Sequence, residues 1–396
     1  MNVGIFTDND FAKVNGVTTS LKAVVRYAPQ DIKPRIYTAS DYPEERPDYF
    51  AASGWGMGMP FYKDMHLHLP WLGTLLRQVR EDRIDLLHLT TPGPLGLAAL
   101  FVAWRTGLRI VGSFHTDLAA YAARLSGSAR LGVLMREYLR WPYGRCERVF
   151  VPSESTRQLL IDGHIDRSKI RLWTRGVDTQ LFSPTKRSSI LRQRWRVCDR
   201  RPAVIYVGRL SREKGLSMLP AIVSAMHRHG VEHRLVLVGD GPMRRELQEL
   251  LPDAIFTGTL APLEVATALA SSDVFLFPSD TDSAGNVVLE AQACGVPPLV
   301  STSGGPKEYI RPYLTGMVCE AGDAHAFGRV AAQLLRDPVR RLAMGQAARR
   351  HAETLKWESA LAPLYQAYTE VGAHGEPANR HIPGTSAPAA AGGAAA

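Results

Sequence analysis

Two segments carry residue types at spacings that suit a phosphorylated sugar. The first is FPSDTDSAGNVVLEAQACG at 277–295. An apolar run, Val274 to Phe277, leads into a polar turn, then Gly285, then a helix-forming stretch whose first turns carry Glu290. Asp282 and Glu290 are two acids eight residues apart, one before that helix and one inside it. Carboxylates accept hydrogen bonds from sugar hydroxyls, and a helix N-terminus attracts an anion through its open N–H groups and its dipole. The second segment, VGRLSREKG at 207–215, places Arg209 and Lys214 just beyond another apolar run. A guanidinium fork and an ammonium point charge suit a diphosphate. Acids for sugar hydroxyls beside cations for phosphates describe a nucleotide-sugar site.

Other loops could join them. In TDNDFAKVNGVTTSLK, Asn15-Gly16 is a turn signal leading into a helix. Gly16 would let the backbone approach a phosphate or sugar, although a tight strand-to-helix turn explains it as well. His115 in GSFHTDLAAY leaves a strand end beside Thr116 and Asp117. An imidazole there can donate to a sugar hydroxyl or stabilise a developing charge; the competing reading is a histidine satisfied by backbone. His88, inside DLLHLTTPGPLG, fits better as a core residue with a partner. Asp240-Gly241-Pro242 marks a further turn.

Two apparent motifs fail. GWGMG at 54–58 has methionine at 59 where a dinucleotide loop needs glycine, and no strand is expected before it. Asp280-Thr281-Asp282 resembles a D-x-D metal clamp, but Asp282 is better used as the partner of Glu290, so no essential metal and no cofactor is expected.

These loops need strands behind them. Short apolar runs alternate with helix-length segments throughout: Val3–Thr7, Ile36–Thr38, Leu86–Leu89, Arg109–Ser113 and Arg148–Val151, then Ala203–Val207, Leu235–Val238, Ile255–Thr257, Val274–Phe277 and Pro298–Ser301. This pattern predicts an α/β protein with two doubly wound, Rossmann-like parallel sheets. The expected domains are 1–185 and 200–356, with a polar, basic seam around 183–201 whose centre has the length of a short helix. An amphipathic helix over Trp357–Tyr368 is suited to docking on a domain, and an Ala-, Gly- and Pro-rich tail over 372–396 is expected to be disordered. Ligands bind at the carboxyl ends of parallel strands, so two facing sheets would put these loops into one cleft.

Bulk composition narrows the partners. The chain has 396 residues and a net charge of +9. Residues 1–199 hold 28 Lys and Arg against 19 Asp and Glu, while the remainder is balanced at 19 each. The excess lies in the first half, which suggests an anionic partner there. No nucleic-acid motif accompanies it. Residues 118–148 contain six arginines and two glutamates interleaved with Tyr121, Tyr138 and Trp141, a pattern compatible with an anionic membrane surface or with a solvated helix face. Four scattered cysteines form no C-x-x-C pair and fit a reducing cytoplasm. The N-terminus lacks the basic start of a signal peptide, and the longest apolar run, Leu95–Trp104, is too short to cross a bilayer.

Taken together, the loops resemble a retaining glycosyltransferase of family 4 with the two-domain GT-B fold. The carriers are NGV at 15–17, SFHTD at 113–117, RGVDTQLFSP at 175–184, GRLSREKG at 208–215, VGDGP at 238–242 and D-x7-E at 282–290, spanning about residues 1–370. The family usually has E-x7-E, so Asp282 is one methylene shorter than its counterpart. The resemblance implies that Glu290 binds the nucleotide ribose. It assigns the donor sugar to Asp282 with the backbone of Ser283, Ala284, Gly285 and Asn286. Arg209 and Lys214 would hold the diphosphate, His115 would meet the sugar near its reactive face, and Gly16 would lie under the phosphates. The first domain would bind the acceptor, and the 357–371 helix would cross back onto it. Among relatives the motifs look most like bacterial α-mannosyltransferases that use GDP-mannose and lipid acceptors, without excluding UDP-glucose. A Rossmann-type oxidoreductase lacks its fingerprint here. A non-catalytic nucleotide-sugar binder on the same scaffold remains the other class to test.

Overall fold

The computed structural model describes residues 1–11, 15–38, 48–52, 54–59 and 62–373. In chain order the first half carries strands β1 (Asn2–Thr7), β2 (Lys33–Thr38), β3 (Tyr49–Ala51), β4 (Gly54–Met59), β5 (Tyr62–Pro70), β6 (Leu86–Leu89), β7 (Arg109–Ser113), β8 (Val149–Val151) and β9 (Ile170–Leu172). Seven of them form a parallel sheet in the order β3-β2-β1-β6-β7-β8-β9, while β4 and β5 make an antiparallel hairpin. The second half carries β10 (Ala203–Val207), β11 (Arg234–Val238), β12 (Ile255–Gly258), β13 (Val274–Phe277), β14 (Pro298–Ser301) and β15 (Met317–Cys319). Their parallel order is β12-β11-β10-β13-β14-β15.

Sequences such as AVIYV and VFLF form central strands because helices cover both faces of the sheet, so every position along them is buried except the half-buried Val207 at the end of the first. The expectation of two doubly wound sheets holds. One detail does not: GWGMG lies in β4 and pairs with β5, and the short strand β3 precedes it, where none was expected.

In each sheet the chain runs outward on one side of a central strand and later resumes on that strand's other side. The reversals fall between β1 and β6 and between β10 and β13. Loops leaving adjacent strands at such a point diverge and open a crevice.

Successive strand residues point to opposite faces. Phe6, Leu87, Leu89 and Ile110 therefore pack on one side of the first sheet, under the Pro94–Thr106 helix with Leu95, Ala99 and Val102. Val3, Ile5, Leu86 and Val111 pack on the other, against Leu21 and Val24 of the Gly16–Arg26 helix. That second face also receives the Trp357–Ala373 helix through Leu361, Leu364 and Tyr368. The last described helix thus returns from the second domain to the first. His88 and Ser113, in phase with Leu86 and Val111, face it. The helix runs two residues into the stretch read as tail, and 374–396 lies outside the described residues.

The seam contains the short helix Ser189–Arg194. It is fastened to the second domain: Arg187 and Arg192 each lie 3.0 Å from the Asp273 carboxylate, and Trp195 is buried in that core.

Candidate active site

The loops leaving β10 and β13 are the two segments that opened the sequence reading. Lys214 Nζ donates to Asp282 Oδ1 at 2.6 Å, joining them across the crevice, and the two side chains are 17% and 16% exposed. Burial opposes the lysine's charge, but Asp282, with Tyr121 and Tyr206 nearby, outweighs it and holds the ammonium well above its ordinary pKa. The second carboxylate oxygen, Asp282 Oδ2, is buried without a hydrogen-bond partner. Gly215 lets the loops touch: its φ is 71°, and a Cβ there would lie 2.4 Å from the Pro278 carbonyl oxygen. Thr281 Oγ1 adds a bond to the Glu213 carbonyl at 2.8 Å. Arg209, half-buried on the same loop, has its carbonyl held by the Tyr206 hydroxyl at 2.9 Å.

The Asn286–Ala293 helix starts at Gly285, whose left-handed φ of 76° turns the chain sharply into it. Glu290 stands one turn beyond Asn286, on the same helical face. Burial pushes its carboxyl up to about 7.

The opposite lip belongs to the first sheet. Asn286 Nδ2 donates to the Gly16 carbonyl at 3.2 Å, and the Ser283 hydroxyl donates to the His115 carbonyl. Asn15 caps the helix that Gly16 begins. Among the described residues, a Cβ on Gly16 would meet nothing nearer than the Asn286 amide at 3.9 Å. Both His115 ring nitrogens are engaged within the protein: Nε2 lies 2.7 Å from Ser113 Oγ, and Arg175 donates to Nδ1 at 3.2 Å. Burial, then Arg175 and His88, drive the His115 pKa well down, so the ring is neutral. What residue 115 offers the second domain is its carbonyl oxygen.

The structure therefore brings Lys214 to Asp282, Asn286 to Gly16 and Ser283 to His115, with Glu290 on the cleft-facing side of its helix. Sequence reading missed three participants. Tyr121 approaches Lys214 from the first domain, although it lies within the quoted GSFHTDLAAY segment. Arg175 begins the quoted RGVDTQLFSP segment, but nothing there links it to His115. Glu308 accepts from the Glu154 and Ser155 N–H groups at 2.7 Å each and from the Ser155 hydroxyl at 2.6 Å, capping a helix of the other domain. No local pattern marks that contact, because its partners lie some 150 positions away.

Among the described residues, no group of three or more His, Cys, Asp or Glu side chains is arranged to hold a metal ion. No described helix is long and apolar enough to cross a membrane.

Comparison with known proteins agrees with the two-domain fold. Residues 14–181 match the model of Glycosyltransferase Family 4, and residues 188–351 match that of Glycosyl transferases group 1. A GDP-mannose-dependent alpha-mannosyltransferase of Corynebacterium glutamicum is 32% identical over 377 residues, 94% of this chain and 89% of that one. A sulfoquinovosyl transferase of Arabidopsis thaliana is 30% identical over 368 residues, 90% of this chain and 71% of that one. The structure of Anabaena HepE in complex with UDP-glucose matches with a TM-score of 0.75 at 16% identity, covering 93% of this chain and 100% of that one. The chain belongs to glycosyltransferase family 4, and its two facing sheets are the GT-B fold.

Proposed function

We propose that the protein is a retaining, metal-independent hexosyltransferase that moves α-mannose from GDP-mannose to a lipid or other glycoconjugate acceptor. The observation that carries this reading is the Lys214–Asp282 bridge at the second-sheet crevice, with Arg209 and Glu290 on the same loops and helix. Glu290 would accept from the ribose hydroxyls, Arg209 and Lys214 would face the diphosphate, and Asp282 Oδ2 with the 283–286 backbone would take the sugar. Gly16 and the His115 peptide would close the site from the other side.

In the transfer, the bond from the anomeric carbon to the phosphate oxygen breaks and the acceptor oxygen bonds to the same face. The acceptor proton passes to the departing phosphate. Negative charge grows on that phosphate, where prepositioned cations and a helix N-terminus are worth several kcal/mol. A covalent route would need a carboxylate nucleophile. Asp282 is ion-paired and Glu290 is assigned to the ribose, which favours attack from the front face. Because Lys214 supplies positive charge and already engages the acid of the D-x-D-like run, the reading needs no metal.

The acceptor side rests on the basic first half. Its Ala129–Gly144 helix exposes Val133, Leu134 and Trp141 among exposed Arg130, Arg136 and Arg140, and the Arg145 guanidinium lies 4.5 Å from the Trp141 ring centre. Apolar side chains among arginines suit an anionic lipid surface, consistent with a cytoplasmic protein working peripherally at the inner face of the membrane. The relatives are not all mannosyltransferases, a sulfoquinovosyl transferase being nearly as similar, which supports testing a second reading in which the donor is a UDP-sugar of glucosyl type.

One assay separates these. The protein is incubated with GDP-mannose, UDP-glucose or UDP-N-acetylglucosamine, with and without anionic vesicles, and free nucleotide is measured. GDP should be released fastest, EDTA should not stop it, and vesicle binding should weaken as salt rises. Release of UDP alone supports the second reading, and manganese-restored activity after EDTA overturns metal independence. No release from any donor leaves a nucleotide-sugar binder.

A further inference from the structure

A buried hydrogen-bonded chain ties the returning helix to His115. Tyr368 Oη lies 2.6 Å from His88 Nδ1, and His88 Nε2 lies 2.8 Å from Ser113 Oγ. Ser113 Oγ lies 2.7 Å from His115 Nε2, and Arg175 reaches His115 Nδ1 at 3.2 Å. All five side chains are buried, and the Trp173 ring packs edge-on against His115 at 5.5 Å between centres. At the Arg175 end the proton position is forced. A guanidinium has donors only, so His115 Nδ1 must accept. The neutral ring then carries its proton on Nε2 and donates it to Ser113 Oγ. Ser113 hands the chain on to His88, and His88 meets the helix at Tyr368.

We propose that Tyr368, acting through His88 and Ser113, is a positioning residue for residue 115. Docking of the Trp357–Ala373 helix orients the His115 ring, and with it the carbonyl that receives Ser283 of the donor loop. The helix follows the second domain in sequence yet packs on the first sheet, so one element fixes the domain pairing and the 115 peptide together. The role assigned to the donor loop rests on the transferase reading; the coupling from Tyr368 to the His115 ring does not.

Tyr365 supplies the control. It is buried on the same helix, and its hydroxyl donates to the Val24 carbonyl at 2.8 Å, off this chain. Tyr368→Phe and Tyr365→Phe each delete one buried phenol oxygen, so both should lower the melting temperature to a similar extent. Only Tyr368→Phe should shift the His115 imidazole nitrogen resonances, assigned by their loss in His115→Gln. Only it should reduce kcat, by about 10-fold, with the donor KM changed less than about 2-fold, the signature of lost transition-state positioning. Ser113→Ala, which cuts the chain midway, should repeat that pattern. Unchanged His115 resonances in Tyr368→Phe, or equal loss of kcat in both tyrosine variants, overturns the proposal. If no donor turns over, the transferase reading fails, and the resonances alone still decide the coupling.

Discussion

The two lips of the cleft are made from different parts of the chain. The second-domain lip presents side chains: Arg209, Lys214 and Asp282 on the loops after β10 and β13, and Glu290 on the helix that follows. The first-domain lip presents mainly backbone, with the Tyr121 side chain beside Lys214 as an exception. The Gly16 and His115 carbonyls receive Asn286 and Ser283, while the His115 ring is turned inward and held at both nitrogens. A side-chain lip can be recognised from residue types, because its chemistry is written in them. A backbone lip depends on where a peptide sits, and that is set by what packs behind it.

The sharpest way to break this contrast is at Lys214. Lys214→Ala should lower turnover by orders of magnitude, since a cation facing the departing diphosphate acts mainly in the transition state. It should also destabilise the fold, because Asp282, 16% exposed on its side chain, loses its ion-pair partner. Losing one member of a fully buried pair costs about 3–5 kcal/mol, and partial exposure makes the cost here smaller. Adding Asp282→Asn removes the stranded charge, so the double variant should recover melting temperature without recovering turnover. Near-normal turnover in Lys214→Ala would remove the side-chain lip from the chemistry.

Glu290 gives the next largest effect, with stability and binding responding to pH in opposite directions. Its carboxyl is pushed up to about 7 by burial, from the 4.5 of an exposed glutamate. Between those values the folded protein holds a proton that the unfolded chain releases. The stability contributed by Glu290 is therefore complete below 4.5 and is lost as pH rises through about 7. Ribose hydroxyls need the ionised form as acceptor, so nucleotide binding should strengthen over the upper part of the same range. Glu290→Gln should flatten both profiles. At pH 8 it should weaken GDP binding by roughly 10- to 100-fold, the range for losing hydrogen bonds to a charged group. Calorimetric titration across pH reads the binding and thermal melts read the stability; a wild-type affinity that does not vary with pH would detach Glu290 from the nucleotide.

The same contrast explains what could be read in advance. Leu86–Leu89, Arg109–Ser113, Ala203–Val207, Val274–Phe277 and Pro298–Ser301 are strands with the expected bounds, because a parallel strand buried on both faces is simply an apolar run. The three-residue strands β3, β9 and β15 lie at sheet edges, where so few residues carry no pattern and the pairing comes from a neighbour already in place. The glycine-rich β4 has no strand propensity to detect. Lys214 and Asp282 were each recognisable, but their contact spans 68 positions and exists because β10 and β13 are adjacent. His115 was recognisable as a residue type. Its inward-facing ring was not, since that depends on Arg175, 60 positions on, and on the phase of Ser113 beside His88 in neighbouring strands.

Gly16 tests the backbone lip at its most exposed point, with the smallest expected effect. The residue is the first of its helix, and among the described residues an added Cβ would come no nearer than 3.9 Å to any group. Alanine is also the better helix former by up to about 1 kcal/mol, so Gly16→Ala should leave the melting temperature unchanged or slightly raised. If phosphates pass over this turn, the added methyl occupies their path, and the donor KM should rise several-fold with kcat less affected. Gly16→Ala in a protein that melts normally but keeps its donor KM would show that the ligand does not run against residue 16. The first-domain lip would then consist of the His115 peptide without the Gly16 turn. A raised KM at unchanged stability would instead show that the ligand runs against residue 16, a role that packing by the described residues does not explain.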